Sequence, residues 1–220
     1  MSLSLEYTCR LPKINSTNKA PLLLLIHGYG SNEADLFSFA DHLPDKFLVV
    51  SVRAPLTLSY QSYAWYTINF NAQNGNYSDI PEALKAKESI LNFINEFENI
   101  LPYDSDNITL LGFSQGTILS YGLALSHPDK IKNVVALSGY IKEELITQIE
   151  DISLYDNLDF FISHGTQDQV IPLDWAQKAP LYLNNLGINA VFKTYPAGHG
   201  VTPQNFNDLN QWLLSKLNSQ

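Results

Sequence analysis

The sequence predicts an α/β protein with a mostly parallel central sheet and helices on both faces. Three observations carry this. Short apolar runs recur along the chain and alternate with stretches of helical period. The central runs are apolar on both sides, as strands covered on both faces must be. Ser, Asp and His residues follow several of these runs, and open parallel sheets bind their ligands beyond the carboxyl ends of their strands.

Composition narrows the class. The chain has 220 residues, 45% hydrophobic and 16% charged. That supports a sizeable core and argues against disorder. It is read as a single domain, 1–220. The net charge of −9 disfavours nucleic acid and anionic membrane surfaces. Cys9 is the one cysteine, so no internal disulfide and no cysteine metal cluster can form. No basic stretch followed by a long apolar one opens the sequence, so no signal peptide is expected. The longest apolar run, Leu22–Ile26, is far too short for a bilayer. A cytoplasmic protein is expected, acting on a small molecule, with no nucleic acid, no stable membrane insertion and no cofactor. A homodimer stays open.

Leu3, Leu5, Tyr7, Cys9 and Leu11 alternate with mostly polar residues, which predicts a half-buried edge strand with Cys9 on its apolar side. Leu22–Ile26 and Phe47–Val52 read as buried strands. Residues 82–100 carry the helical period through Leu84, Ile90, Leu91, Ile94, Phe97 and Ile100. Ile108–Leu111 is a strand, and 117–125 a buried helix stopped by Pro128. Val134–Leu137 and Leu158–Ile162 are strands. Leu173–Leu186 is expected as one helix closed by Gly187. A last strand, 190–195, and a closing helix, 206–217, complete the chain.

The stretch between the fourth strand and its helix is Gly112-Phe113-Ser114-Gln115-Gly116. Strand, Gly-x-Ser-x-Gly, helix is the nucleophile elbow of the α/β-hydrolase fold. A serine there sits on a sharp turn, and the helix N-terminus aims N–H groups at any anion forming beside it. Asp168 follows a later strand in His164-Gly165-Thr166-Gln167-Asp168, and His199 follows the last in Gly198-His199-Gly200. Ser, Asp, His is the chain order of that fold's triad. An imidazole can take the serine proton and return it to a leaving group, while the carboxylate fixes the tautomer. Asp174 competes with Asp168, although a carboxylate in the first turn of a helix has an ordinary structural use. His164 reads as a hydrogen-bonded structural residue and His27 as a support for the glycine loop. The backbone N–H groups of Tyr29, in His27-Gly28-Tyr29-Gly30, and of Gln115 are the expected oxyanion hole.

In combination these pieces resemble the phospholipase/carboxylesterase family of small α/β hydrolases, which includes acyl-protein thioesterases and bacterial carboxylesterases. The matching residues also include Glu33 and Asp35, Arg53-Ala54-Pro55, Ala64-Trp65-Tyr66, Leu137-Ser138-Gly139 and Pro172, in family order from about 22 to 201. The resemblance implies Ser114, Asp168 and His199 as catalytic residues and hydrolysis of carboxylic esters through an acyl-enzyme, with thioesters or lysophospholipids as further substrates. Ser31 stands where thioesterase-like members tend to carry Asp, which tilts the expectation toward the bacterial esterase branch. Thr117 stands where a small residue is common, so packing behind the nucleophile is expected to differ. An acyltransferase on the same triad and a non-catalytic ligand-binding protein of the same fold are the alternatives.

Between Arg53 and Asp79 there is no charged residue. This segment, about 54–79, is expected to fold over the site as a flap. Trp65, Tyr66 and Phe70 are its expected substrate-binding residues, with Trp65 facing an uncharged acyl pocket; a hairpin packed on the core is the simpler reading.

Overall fold

The computed structural model describes residues 3–14, 18–69 and 77–218. The chain opens with strands β1 (Tyr7–Arg10) and β2 (Pro21–Ile26), a short helix α1 (Ala34–Phe37) and β3 (Leu48–Val52). Four short strands follow: β4 (Leu56–Ser59), β5 (Ser62–Ala64), β6 (Ile68–Asn69) and β7 (Tyr77–Ser78). Helix α2 (Ile80–Phe97), strand β8 (Asp104–Phe113), helix α3 (Gln115–Ser126) and strand β9 (Ile131–Leu137) come next. The last elements are β10 (Asp159–Gly165), α4 (Leu173–Ala176), α5 (Lys178–Asn185), β11 (Asn189–Tyr195) and α6 (Pro203–Asn218).

Seven strands form one sheet in the order β1-β3-β2-β8-β9-β10-β11. Every pairing is parallel except that of β1, which runs antiparallel to β3 at the edge. The alternating pattern of the first strand is thus an edge pattern, as expected. The five-residue apolar run of β2 divides by side-chain alternation. Leu22, Leu24 and Ile26 pack with Ile90 and Phe93 of α2 and Leu119 and Leu123 of α3. Leu23 and Leu25 pack with Leu36 of α1 and Leu209 and Leu213 of α6. One strand therefore serves two cores, which is why it carries no polar position. Each such leucine contributes about 1.5–3 kcal/mol by burial.

Helix α2 starts at Asp79, whose carboxylate accepts from the Glu82 N–H at 2.9 Å, a standard N-cap. Glu82 in turn accepts from the Thr67 N–H at 2.7 Å, tying the helix start to the uncharged segment before it. The expected single helix over 173–186 is instead two, α4 and α5, parted at Gln177. Pro180 is the cause: it has no N–H for the Ala176 carbonyl, and its ring crowds that carbonyl.

Part of the uncharged segment is a hairpin, β4 with β5, locked onto the glycine loop. The Gly30 N–H donates to the Tyr63 carbonyl and the Tyr63 N–H to the Ser31 carbonyl, each at 2.8 Å.

Candidate active site

The site grows from the β8–α3 junction. Ser114 joins the two with φ 53° and ψ −113°, outside the comfortable regions for a residue with a side chain. The turn is possible because the helix comes unusually close to the sheet. A Cβ on Gly116 would lie 2.0 Å from the Ile26 carbonyl oxygen, so only glycine fits. The Ser114 N–H donates to the Leu137 carbonyl at 2.9 Å, which anchors the strained residue to β9. Thr117 adds a second anchor. Its hydroxyl accepts from the Leu137 N–H at 3.0 Å and lies 2.7 Å from the carbonyls of Gly112 and Leu137.

Asp168 and His199 come from the loops after β10 and β11. These loops touch backbone to backbone: a Cβ on Gly165 would lie 2.2 Å from the Gly198 carbonyl oxygen. The Gln167 N–H donates to the Ala197 carbonyl at 2.9 Å. The result is a continuous chain of hydrogen bonds. His199 Nδ1 is 2.7 Å from Asp168 Oδ2, and His199 Nε2 is 2.9 Å from Ser114 Oγ. A carboxylate only accepts, so Nδ1 carries the proton and Nε2 accepts from the serine hydroxyl. Phe113 packs against the His199 ring at 5.0 Å between centroids.

The Asp168 side chain is fully buried. Burial pushes its carboxyl up, but the His199 hydrogen bond and the N–H groups of Ile171 and Val170 outweigh it, leaving the group below the usual carboxylate range. Those two N–H groups reach Oδ1 at 3.0 and 2.8 Å. His164 Nε2 donates to the Ile171 carbonyl at 2.8 Å and lies 3.3 Å from Asp168 Oδ2. His164 therefore braces the acid loop from behind. Asp174, the competing acid, is exposed at the start of α4.

The glycine loop is supported by His27. Its Nε2 accepts from the Ala54 N–H at 3.1 Å, and its Nδ1 donates to the Gly28 carbonyl at 2.7 Å. Burial pulls this imidazole down, so it is a neutral strut. Arg53 holds the loop's far side, donating to Glu33 from Nε at 2.6 Å and also bonding Glu6.

Ser114, His199, Tyr29 and Gln115 open on a cavity of about 180 Å³, which is also lined by Tyr66, Ile68, Ser78, Ile118, Tyr140, Val170, Ile171 and Trp175. No Asp, Glu, Lys or Arg is among these residues. Tyr66 is among the lining residues. Trp65 is not. Its indole is buried in the core, and its Nε1–H donates to the His27 carbonyl at 2.9 Å. The bond to the His27 carbonyl holds the indole under the glycine loop and away from the cavity. Phe70 lies outside the described residues. Gln115 does more than its backbone position suggested. Its side chain accepts from the Trp65 N–H at 2.8 Å and donates to the Tyr66 carbonyl at 2.7 Å, fixing the wall to the elbow. The sequence reading missed Tyr140, Ile171 and Trp175. Tyr140 and Ile171 follow the carboxyl ends of β9 and β10, where a ligand is expected, and that position is the signal that could have found them.

Among the described residues, no cluster of three His, Cys, Asp or Glu could hold a metal ion. None of their helices is long and apolar enough to cross a membrane.

Fold and site together define an α/β hydrolase. The model of the phospholipase/carboxylesterase family matches residues 13–217, and the chain belongs to that family of hydrolases. It is similar to a probable carboxylesterase of Oryza sativa subsp. japonica, 26% identical over 207 residues, covering 89% of this chain and 77% of the relative. It is also similar to acyl-protein thioesterase 1 of Emericella nidulans, 25% identical over 213 residues, covering 87% and 88% of the two chains. Among solved structures, the Bacillus cereus carboxylesterase superposes with a TM-score of 0.81 at 21% identity, over 96% of this chain and 94% of the other.

Proposed function

We propose that Ser114 is the nucleophile, His199 the general base and acid, and Asp168 the residue that orients it, in hydrolysis of carboxylic esters. The observation that carries this reading is the Asp168–His199–Ser114 hydrogen-bond chain ending at a strained elbow. Ser114 Oγ attacks the ester carbonyl carbon as its proton passes to His199 Nε2. The carbonyl oxygen becomes an oxyanion, stabilised by the N–H groups of Tyr29 and Gln115. The intermediate collapses, the C–O bond breaks, and His199 protonates the departing alcohol. Water then repeats the sequence on the acyl-enzyme and releases the acid.

A thioester fits the same steps with a thiol leaving. The uncharged lining favours neutral acyl groups, because an ionised one would lose its hydration with nothing to replace it. A volume below the usual range of ligand sites, roughly 300–1,000 Å³, favours short ones. Ser31 keeps the bacterial esterase branch as the preferred comparison. A cytoplasmic setting belongs to the same reading, supported by a chain with no disulfide to form. The test is a panel of p-nitrophenyl esters from acetyl to palmitoyl, beside a thioester and a lysophospholipid, with Ser114→Ala as control. Short neutral esters should be cleaved best and the variant should be inactive; undiminished turnover by Ser114→Ala would end the proposal.

A further inference from the structure

Two cavities meet at one pair of aromatic rings. Tyr140 and Trp175 line the cavity at Ser114 and also a second cavity of about 380 Å³, and no other described residue lines both. Their rings stand nearly edge to face, with 5.0 Å between centroids and 74° between planes. That is a favourable arrangement for two aromatic rings, and it makes the pair a partition between the two spaces.

The two halves of the partition are held differently. Tyr140 follows the turn after β9, where Ser138, at φ 50°, is tied by its N–H to the Ser163 carbonyl at 2.9 Å. The Tyr140 side chain packs against the main core. Trp175 stands on α4, a helix of four residues, and is 37% exposed. The indole is therefore the half that can be shortened without opening the core.

Beyond the pair, the second cavity runs along Ile141 and Tyr182, both packed against the main core. Its charged members keep their own company: the Lys142 ammonium lies 3.5 Å from a Glu144 carboxylate oxygen, and Glu143 and Lys178 are exposed. An alkyl chain that passed the pair would find apolar surface there. A chain stopped by the pair finds none.

We infer that Trp175 is the specificity-determining residue for acyl length. With Tyr140 it ends the acyl cavity, and removing its indole joins that cavity to the second one and admits longer chains. This rests on the ester-hydrolase reading above and names what limits its substrates.

The test begins with the parent protein and straight-chain alkylboronic acids, which add reversibly to an activated serine. Affinity should rise by about fourfold with each buried CH₂ until the chain meets the pair, and then level off. In Trp175→Ala the rise should continue past that length. Turnover of p-nitrophenyl esters gives the same comparison. The ratio of kcat/KM for the decanoate to that for the butyrate should increase by roughly tenfold or more in Trp175→Ala, the gain of two or more buried CH₂ groups, with Trp175→Phe in between. Fluorophosphonate labelling of Ser114 checks that each variant has an assembled site. An acyl-length profile of Trp175→Ala that superimposes on the parent's would overturn the inference. So would a boronic-acid affinity that climbs unbroken to decyl in the parent, a result that needs no variant to fold. A parent that cleaves no ester and takes no label would instead bring down the hydrolase reading.

Discussion

The edge of the cavity that carries the proposed triad and the wall beside it are built in different ways. The edge takes Ser114, Asp168 and His199 from the ends of β8, β10 and β11, and backbone geometry places each one. Ser114 is held by its turn and its N–H bond to Leu137, and the other two by the contact of their loops at Gly165. The wall gathers Tyr66, Ser78, Tyr140, Ile171 and Trp175 from separate segments, and packing decides which side chains face inward. Changes at the edge should therefore remove chemistry and spare the fold, while changes in or behind the wall should alter selectivity or stability.

The largest effect should come from the edge. Asp168→Asn is expected to lower kcat by about 10⁴, by analogy with other triads, while Asp174→Asn leaves it near the parent value. The reverse result would reassign the acid. The same variant carries a pH signature. The folded-state carboxyl of Asp168 lies below its ordinary range. Its stabilising contribution is thus complete above an ordinary Asp pKa of about 3.9 and is lost as pH falls through the depressed value. Urea titrations over the acid range should show a shallower loss of stability in Asp168→Asn than in the parent. Equal slopes would mean that the carboxylate is not held by His199 and the loop N–H groups.

Trp65→Ala should act next most strongly, and on stability. Removing a fully buried indole costs about 3–5 kcal/mol, read as a lower denaturation midpoint. The acyl-chain profile of the folded fraction should match the parent. A changed profile at parental stability would put Trp65 back in the wall.

Legibility followed the same division. The central place of β2 was implicit in its run: it is apolar at every position from Leu22 to Ile26 because it faces two cores. The turn at Ser114 was readable because a tight strand-to-helix junction needs particular residues at adjacent positions, while Asp168 and His199 were picked out by their places after later strands, and the structure brings the three within hydrogen-bonding distance. Trp65 was misplaced because the sequence gives an aromatic pair, Trp65-Tyr66, but not which member turns inward. That was settled by the bonds from Trp65 to His27 and Gln115, residues far away in sequence. The break between α4 and α5 was missed for a local reason: Pro180 was not weighed against the apolar period around it.

A smaller effect sits behind the edge. Thr117→Val keeps the shape of the side chain and deletes its hydroxyl, leaving the buried Leu137 N–H without its acceptor. The expected loss is about 1–3 kcal/mol in urea titration. No loss would mean that Thr117 merely fills space behind the nucleophile.

The central claim is that Ser114 is activated by His199 at the strained elbow. A fluorophosphonate probe tests it most directly, because fast phosphonylation needs both an activated hydroxyl and an oxyanion site. Mass spectrometry of the labelled protein should place one phosphonate per chain on the peptide carrying Ser114. His199→Ala should slow labelling by orders of magnitude, and Trp65→Phe should not. Labelling on another residue, or labelling of Ser114 at an unchanged rate in His199→Ala, would contradict the account.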